Sequence, residues 1–272
     1  KVSSVGTIDV RVTSDNYRDF YLTIGVKTKN KDVPVPDGTI SASDITYGQA
    51  LNDSKIAGKM KAGGKAIDGT FTWTNGTFKP AAGDYPASWT FTPAKGYEEY
   101  ATATGTATVT VDPKAVTVSI TPNGGTYESV TAAAAVLSGV VDGETVPVTL
   151  TYTGTANDGT EYTGTTPPTK AGTYTVTAAT TDTNYTLDAK TTTAEFTVAK
   201  RRATVNPDNK SQAYEEKDPK LTYIVSGVLS GETLKGITLA RAEGENAGKY
   251  AITATADVSA NPNYDVTFAE GT

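Results

Sequence analysis

Residues 246–254 read NAGKYAITA, and nearly the same phrase occurs as AAGDYPASW at residues 81–89 and as KAGTYTVTA at residues 170–178. A fainter copy, SVGTIDVRV, occupies residues 4–12. Each copy runs from a glycine and a large apolar residue into alternating polar and apolar residues, which is the period of a half-buried strand. Because the copies recur at the spacing of small domains, the phrase indicates a structural module rather than an active site.

The residues shared by these phrases predict a turn followed by a core strand. The glycine is expected to need positive φ in the turn. The tyrosine two residues later is expected to begin the strand and to point into the core with the alternate residues, which in the third unit are Tyr250, Ile252 and Ala254. A later tyrosine occurs in each unit, three times preceded by asparagine, and these Asn-Tyr pairs are expected to close a hairpin and cap one end of the core. The predicted structural signature is Gly83, Tyr85, Gly172, Tyr174, Gly248, Tyr250, Tyr97, Tyr185 and Tyr264, with Tyr17 as a further capping tyrosine.

Other phrases recur in the same order, so the repeat is longer than one strand. The strands that close successive units end near Val26, Val111 and Val198, which gives spacings of 111 − 26 = 85 and 198 − 111 = 87 residues. The units open near Tyr47, Tyr127 and Tyr214. SGVVDGETVPVTL at residues 138–150 matches SGVLSGETLKGITL at residues 226–239. Periods of this length exceed those of solenoid repeats and indicate whole small domains in series.

The repeats predict four segments. Residues 1–36 form the C-terminal part of a preceding repeat, residues 37–113 form module 1 and residues 114–199 form module 2. Residues 200–272 form module 3, which lacks the closing strand that AEFTVAK supplies in module 2. The linkers DPKA and AKRR leave little slack, and proline restricts the first of them, so we expect an elongated tandem array.

Composition favours a mainly β fold with little helix. The chain has 272 residues, of which 50 are threonine, and threonine, valine and tyrosine prefer strands. The 26 glycines and 13 prolines then mark the turns. The small modules are expected to be either β-grasp-like, with a short helical turn in the shared Ser-Gly-Val…Gly-Glu-Thr phrase, or immunoglobulin-like sandwiches.

Several classes of function are disfavoured by what the chain lacks. It has neither cysteine nor histidine, which removes thiolate sites, the commonest metal ligand and every Ser–His or Cys–His triad. A net charge of −6 argues against nucleic-acid binding. No apolar run approaches the ~20 residues of a transmembrane helix, so direct membrane insertion is not expected.

Acidic groups in the chain are better interpreted as loop charges than as chemistry. The pairs Glu98–Glu99 and Glu215–Glu216 are neighbours, and neighbouring residues on a strand point to opposite faces, whereas a glycosidase needs two carboxylates across one cleft. Asn157-Asp158-Gly159 lacks the spacing of an EF-hand loop and is predicted to be a turn. No catalytic, cofactor or metal residue is therefore predicted.

Two aromatic pairs, Phe71 with Trp73 and Trp89 with Phe91, each lie on one face of a strand. We interpret them as core rather than as a sugar-stacking platform, since a one-sided aromatic stripe in a small β domain is usually its core. The Asn75-Gly76 dipeptide is predicted to fold GTFTW back onto TFKP as a hairpin.

The ordered phrases resemble a known family. The third unit, from ATVNPDNKSQAYEEKDPKLTYIVSGVLSGETLKG to NPNYDVTFAEGT, closely resembles the MBG-type repeat of bacterial surface proteins. The second unit is similar with a longer middle, and the first resembles a repeat common in surface proteins of Gram-positive bacteria. The resemblance implies an extracellular setting, tandem modules within a long adhesin-like protein and no catalytic residues.

The leading hypothesis is a non-enzymatic stalk or adhesin segment at the bacterial cell surface or cell wall, which displays or forms an adhesive region. Its partners would be the neighbouring repeats and a host or environmental glycan or protein, with no nucleic acid, no cofactor and a monomeric chain. One alternative is a glycan- or mucin-binding module. Another is a carbohydrate-active enzyme fragment, which the repetition disfavours because similar units would not be expected to hold one active site.

Overall fold

A computed structural model describes the backbone of residues 2–272 and the side chains of residues 6–25 and 30–272. Lys1, where the predicted repeat fragment starts, and the side chain of Val26 lie outside this description. The chain divides into two compact units, one that ends at Lys114 and one that spans Ala115–Thr272. The mainly β prediction is confirmed, since 24 strands are present and the only helical segment of the described chain is a 3-10 turn at Leu51–Asp53.

The first unit begins with a long antiparallel hairpin of β1 (Val2–Ser14) and β2 (Tyr17–Lys29). Apolar residues face each other across the pair, as at Ile8 and Ile24 and at Val10 and Leu22. These side chains are exposed, with 55% of Ile8 and 46% of Ile24 accessible to solvent. The alternating pattern therefore made a strand here without making a core.

The remainder of the first unit corresponds to the sequence predicted as module 1. Its strands are β3 (Val35–Pro36), β4 (Ser41–Ala42), β5 (Ile45–Thr46), β6 (Ile56–Ala57), β7 (Met60–Ala62), β8 (Lys65–Ile67), β9 (Gly69–Trp73), β10 (Gly83–Pro93) and β11 (Ala103–Asp112). The main sheet has the order β5-β11-β10-β9, and β3-β7-β8 and β4-β6 form smaller sheets. Strand β5 runs parallel to the end of β11, so the start and the finish of this segment meet at one edge.

The aromatic pairs form the core of this segment, as predicted. Trp73, Trp89 and Phe91 are buried, and the ring of the half-buried Phe71 packs edge-on against Trp89 at a centroid distance of 5.2 Å. The predicted Asn75-Gly76 hairpin is wrong, because β9 pairs with β10 instead. The residues after the turn hydrogen-bond to the 3-10 segment, where the Leu51 amide donates to the carbonyl of Phe78 (2.9 Å).

The second unit contains the segments predicted as modules 2 and 3. The strands of module 2 are β12 (Lys114–Thr121), β13 (Gly125–Thr126), β14 (Ala134–Ser138), β15 (Thr149–Ala156), β16 (Glu161–Gly164), β17 (Gly172–Ala179), β18 (Tyr185–Leu187) and β19 (Thr193–Ala199). They form two sheets, with the orders β14-β12-β18 and β13-β19-β17-β15-β16. Strands β12 and β17 each bury one face, as the period-2 pattern requires.

Module 3 repeats part of this arrangement. Its strands are β20 (Arg201–Pro207), β21 (Tyr223–Ser226), β22 (Thr238–Arg241), β23 (Ile252–Thr255) and β24 (Tyr264–Phe268). They form the sheets β21-β20-β24 and β22-β23. After β24 the chain only begins to pair with β23, through an antiparallel bridge between Gly271 and Ile252. The counterpart of the closing strand β19 is therefore not among these strands.

The helical turn predicted in the shared Ser-Gly-Val…Gly-Glu-Thr phrase is wrong. In module 2 the phrase forms a turn in which the Glu144 amide donates to the carbonyl of Val141 (3.1 Å), with Gly143 at φ 83°. The same turn in module 3 joins Glu232 to Leu229 (3.1 Å), with Gly231 at φ 85°. A glycine with positive φ at the third position of a four-residue turn closes it without a helix. No helix of the described residues packs on these sheets, which favours a sandwich over a β-grasp.

The positive φ predicted for the signature glycines holds only at Gly83, where φ is 116°. It is wrong at Gly172 and Gly248. Gly172 is the first residue of β17, and a Cβ there would lie 2.4 Å from the carbonyl oxygen of Thr155, so glycine permits the close approach of β15. Gly248 has neither constraint, because a Cβ there would have no heavy atom nearer than 4.0 Å.

The prediction that the Asn-Tyr pairs close hairpins is confirmed only at Tyr17, which follows the turn between β1 and β2. The prediction that they cap a core is wrong there, because Tyr17 is exposed. Tyr185 and Tyr264 instead begin strands that join the other sheet of their modules. The chain crosses between sheets there because β18 neighbours β12, and β24 runs parallel to β20.

Candidate functional site

Three side chains meet where module 2 reaches module 3 within the second unit. The hydroxyl of Tyr127 donates to Oε1 of Glu232 (2.7 Å), and the hydroxyl of Tyr264 donates to Oε2 of the same carboxylate. The two tyrosine rings pack edge to face at a centroid distance of 5.6 Å and an angle of 80°. We call this group the Tyr–Glu–Tyr clasp.

The module 2 side of the clasp is a turn that presents Tyr127. The turn closes by a hydrogen bond from the Ser129 amide to the carbonyl of Thr126 (2.8 Å), and Glu128 occupies the position with φ 58°. The Tyr127 amide donates to the carbonyl of Ala199 (2.9 Å), at the end of the closing strand β19. The turn is therefore fixed to the end of module 2 from which the chain enters module 3.

The module 3 side of the clasp is an apolar pocket with a carboxylate at its rim. Tyr127 packs into the core of module 3 with the buried side chains Ala203, Val205, Leu234, Ala254 and Tyr264. Only 8% of the Tyr127 side chain remains accessible, whereas Glu232 is exposed. Burying an aromatic ring with its hydroxyl at a polar rim satisfies both parts of the side chain.

Tyr264 holds the carboxylate in position. The backbone amide of Leu229 donates to the Tyr264 hydroxyl (3.1 Å), which itself donates to Glu232. Tyr264 is fixed in turn as the first residue of β24, in register with Arg201 of β20. Glu232, on the turn that begins at Leu229, and Tyr264, at the start of β24, are thus joined without any contribution from Tyr127. We call them the Glu–Tyr pair.

The electrostatics of the clasp favour an ionised glutamate and neutral tyrosines. The hydrogen bond to Glu232, with burial and the nearby negative charge, raises the pKa of Tyr127 from 10.0 to about 12. Hydrogen bonds from Tyr264 and then Tyr127 lower the pKa of Glu232 below 4.5. Burial and then the bond to Glu232 raise the pKa of Tyr264. The three shifts agree, since each stabilises O–H donors around a carboxylate.

Two further hydrogen bonds join the same two modules. The side-chain oxygen of Asn263 accepts from the amide of Ala171 (3.1 Å), and the side-chain amide of Asn157 donates to the carbonyl of Pro262 (3.2 Å). Asn263 directly precedes Tyr264, so both residues of this Asn-Tyr pair serve the joint. Contacts at the Tyr127 turn, at Asn157 and at Ala171 tie module 2 to module 3 at several points.

The Glu–Tyr pair occurs a second time, in module 2. The hydroxyl of Tyr185 donates to Oε2 of Glu144, and the amide of Val141 donates to the Tyr185 hydroxyl (3.1 Å). The distance equals that between Leu229 and Tyr264 in module 3. The shared Gly-Glu-Thr phrase and the Asn-Tyr phrase therefore build one recurring device.

The tyrosine turn occurs three times in the described part of the chain. It closes between Thr46 and Gln49 (3.0 Å), between Thr126 and Ser129 (2.8 Å) and between Ala213 and Glu216 (3.2 Å). In each turn the tyrosine is the second residue and the third residue has positive φ, which is 93° at Gly48, 58° at Glu128 and 68° at Glu215. Tyr47 is half-buried, Tyr127 is buried and Tyr214 is 66% exposed.

The other signature tyrosines stay within their own segments. Tyr174 is buried, and its hydroxyl donates to the carbonyl of Lys170 (2.9 Å), four residues earlier. Tyr250 makes the equivalent bond to Asn246 (2.6 Å) but is half-buried and lies before β23, with Arg241 stacked 4.9 Å over its ring. Tyr85 is half-buried, and Tyr97 donates to Asp68 (3.4 Å).

Of the signature residues, only Tyr185 and Tyr264 belong to Glu–Tyr pairs. Sequence reasoning assigned no role to Glu144 or Glu232 and treated Tyr127 only as the start of a unit. The sequence did contain a signal for the glutamates, because Glu144 and Glu232 occupy the same position of the shared phrase. It contained no signal that Tyr127 is the partner of Glu232, since the two residues are 105 residues apart.

The acidic groups considered for chemistry serve local structure. Glu98 accepts from the amide of Gly96 (3.0 Å), and Glu215 and Glu216 belong to an exposed turn. Asp158 lies in the turn between β15 and β16, and its ion pair with Lys170 (2.7 Å) and bonds from Thr160 lower its pKa. Among the described residues no cluster of acidic side chains that could hold a metal occurs.

Part of this chain matches a known family. Residues 203–272 match the MBG domain (YGX type). The match covers 70 of the 272 residues and includes both members of the Glu–Tyr pair, Glu232 and Tyr264, as well as Tyr214. The predicted resemblance of the third unit to the MBG-type repeat is confirmed. A comparison with curated proteins found no match to the chain.

Within the described part of the chain, no helix has both the length and the apolar character needed to cross a bilayer.

Proposed function

We propose that this chain is a non-enzymatic structural segment of a bacterial cell-surface protein, a stalk or adhesin segment whose modules dock on one another. The observation that carries the proposal is the Tyr–Glu–Tyr clasp, which joins residues 114–199 to residues 200–272. An aromatic ring of one module is buried in the core of the next and is hydrogen-bonded to a carboxylate there. A joint of this kind resists bending between modules.

The mechanism is mechanical. Bending the joint would withdraw Tyr127 from its pocket and break the bonds at Asn263 and Asn157. Both the apolar burial of a ring and the hydrogen bonds oppose that motion. The MBG match supports a surface-protein setting, in which a stiff series of modules would hold an adhesive region away from the cell.

The test of the joint is backbone ¹⁵N relaxation on the full chain. Modules 2 and 3 are expected to tumble as one body, with one common rotational correlation time. Tyr127→Ala is expected to give each module its own, shorter correlation time. Tyr214→Ala is the matched control, because it removes the same side chain from the same kind of turn. Independent tumbling of the two modules in the unmodified chain would refute the mechanical role.

The test of the setting is antibody labelling of intact cells of the organism that encodes the chain. Labelling without permeabilisation, lost after brief external proteolysis, is expected of a surface segment. Labelling only after permeabilisation would contradict the location and leave the joint itself unaffected.

The aromatic pairs do not favour a glycan-binding module, since Trp73, Trp89 and Phe91 are buried in the core. The partner that the geometry supports is a neighbouring repeat of the same chain.

A further inference from the structure

Tyr214 occupies the turn of module 3 that corresponds to the Tyr127 turn of module 2. The hydrogen bond from Glu216 to Ala213 (3.2 Å) matches that from Ser129 to Thr126 (2.8 Å). Tyr127 is 8% exposed because it lies in the core of module 3, whereas Tyr214 is 66% exposed. A large aromatic residue that is buried in one copy of a turn and exposed in another marks a contact surface.

The third residue of the turn adopts an unfavourable backbone conformation. Glu128 and Glu215 are the only residues other than glycine with positive φ in the part of the chain that the structure describes, and each directly follows the tyrosine. Side chains avoid this region because Cβ crowds the backbone. Both turns nevertheless adopt it, so the presentation of the tyrosine is the feature that they share.

The Tyr214 turn is also ordered by its surroundings. The side-chain amide of Gln212 donates to Asp218 (2.9 Å), and Asp218 pairs with Arg241 of β22 (3.0 Å). These contacts fix both flanks of the turn to module 3. A turn whose flanks are already held in position loses less conformational entropy on binding.

We propose that Tyr214 docks a further module of the same type, placed after residues 200–272 and carrying a Glu–Tyr pair like Glu232 and Tyr264. Such a module offers a carboxylate on a Leu-x-Gly-Glu turn, a tyrosine hydroxyl bonded to that carboxylate, and an apolar pocket between them. These are the groups that hold Tyr127, so the chemistry of the partner is defined by this chain. The inference rests on the proposed function, because it extends the same joint by one module.

The order of modules favours this partner. Tyr127 reaches forward along the chain to residues 232 and 264, and it is fixed to its own module by Ala199 of the closing strand. Module 3 has no counterpart of β19 in the described strands. A further module that is entered through a closing strand like β19 would present its Glu–Tyr pair and pocket to Tyr214 as module 3 presents them to Tyr127.

The experiment extends the full chain after Thr272 with a second copy of residues 196–272. Gly271 bridges to Ile252 as Ala194 pairs with Val176, so Phe196 is the residue that follows Thr272 in register. Tyr214→Phe in the added copy leaves a single tyrosine of this kind to follow. The readout is the nitration rate of individual tyrosines, measured by peptide mass spectrometry.

In the unextended chain Tyr214 is expected to nitrate as fast as Tyr17, which is 82% exposed, and Tyr127 is expected to be protected. In the extended chain nitration of Tyr214 should fall by about tenfold or more, which corresponds to a docked state favoured by about 1.4 kcal/mol. Glu232→Ala in the added copy should raise the rate again several-fold, because the tyrosine then loses the carboxylate and keeps only the apolar pocket. That substitution is at an exposed position, so the copy should remain folded.

An unchanged rate at Tyr214 with Tyr127 still protected would overturn the inference and leave the proposed function standing. Rapid nitration of Tyr127 itself would refute the joint on which both rest. If amide exchange shows that the added copy is unfolded, a second extension applies, in which residues 196–200 are followed by residues 114–272. It offers Glu144 and Tyr185 as the Glu–Tyr pair, and failure to protect Tyr214 there overturns the inference as well.

Discussion

Tyr127 and Tyr214 occupy the same turn in two modules, yet one is 8% exposed and the other 66%. Their local structures match in the closing hydrogen bond and in the positive φ of the following glutamate. The difference lies outside the turn, because Tyr127 has the pocket and carboxylate of module 3 against it. The comparison teaches that the local sequence positions the side chain, and the neighbouring module determines whether it is buried.

The largest expected contrast is in truncation of the two side chains. Tyr127→Ala should lower the free energy of unfolding of the second unit by about 3–5 kcal/mol, as for other large aromatic residues removed from a core. Tyr214→Ala should change it by less than about 0.5 kcal/mol, since exposed positions contribute little. Urea unfolding monitored by far-UV circular dichroism measures both changes in the free energy of unfolding. Equal effects of the two substitutions would remove the distinction.

The next contrast is alkaline stability. The pKa of Tyr127 is raised from 10.0 to about 12 in the folded chain, so its contribution is fully present below pH 10 and is lost as the pH rises through 12. Two pKa units correspond to at most about 2.7 kcal/mol, and the exposed carboxylate of Glu232 reduces this to about 2 kcal/mol. The stability of the unmodified chain should therefore fall relative to Tyr127→Phe between pH 10 and pH 12.

A matched measurement uses Tyr214→Phe over the same range of pH. That variant should stay parallel to the unmodified chain, because Tyr214 is 66% exposed. If Tyr127→Phe also stays parallel, the hydrogen bond to Glu232 does not hold the phenol proton.

A smaller effect is expected from the hydroxyl alone at neutral pH. Tyr127→Phe keeps the buried ring and loses one hydrogen bond to a carboxylate, which should lower the free energy of unfolding by about 1–2 kcal/mol. In a chain that already carries Glu232→Gln, Tyr127→Phe should cause a much smaller further loss of the free energy of unfolding, since the two groups act together. Fully additive losses in this double-mutant cycle would show that the two side chains do not interact.

The smallest effect tests whether the two turns share a backbone. Glu128→Gly and Glu215→Gly should each raise the free energy of unfolding by up to about 1 kcal/mol, because glycine adopts positive φ without crowding. Glu216→Gly, one residue later in the second turn, is the control and should not stabilise the chain. A loss of stability in both glycine variants would mean that positive φ is not the strained feature of these turns.

The same lesson appears in the hairpin of β1 and β2. Its sequence, SVGTIDVRV, is a copy of the phrase that forms β10 and β17, and it does form a strand. In β10 the alternate residues Ala87, Trp89 and Phe91 are buried, whereas Ile8, Val10 and Val12 of β1 are 37–55% exposed. Alternation fixes which residues share a face, and a core forms only where other strands cover that face.

Sequence reasoning predicted features that depend on neighbouring residues. The β class, the alternating core strands, the buried aromatic pairs and the Asn157-Asp158-Gly159 turn follow from side-chain period and turn chemistry, which act over a few residues. It failed where long-range pairing decided the outcome. Asn75-Gly76 had the letters of a hairpin, but β9 had a better partner in β10 than in the residues just after the turn.

The sequence by itself determined that this chain consists of repeated β segments. The same phrases recur in the same order, and each strand shows the alternation of polar and apolar residues that predicts it. It also marked Tyr127, Glu232 and Tyr264 by placing them in phrases that recur. Only the tertiary structure joined them. A tyrosine and a carboxylate 105 residues apart meet because two folded modules bring their ends together, and no local rule of turn or strand specifies that contact.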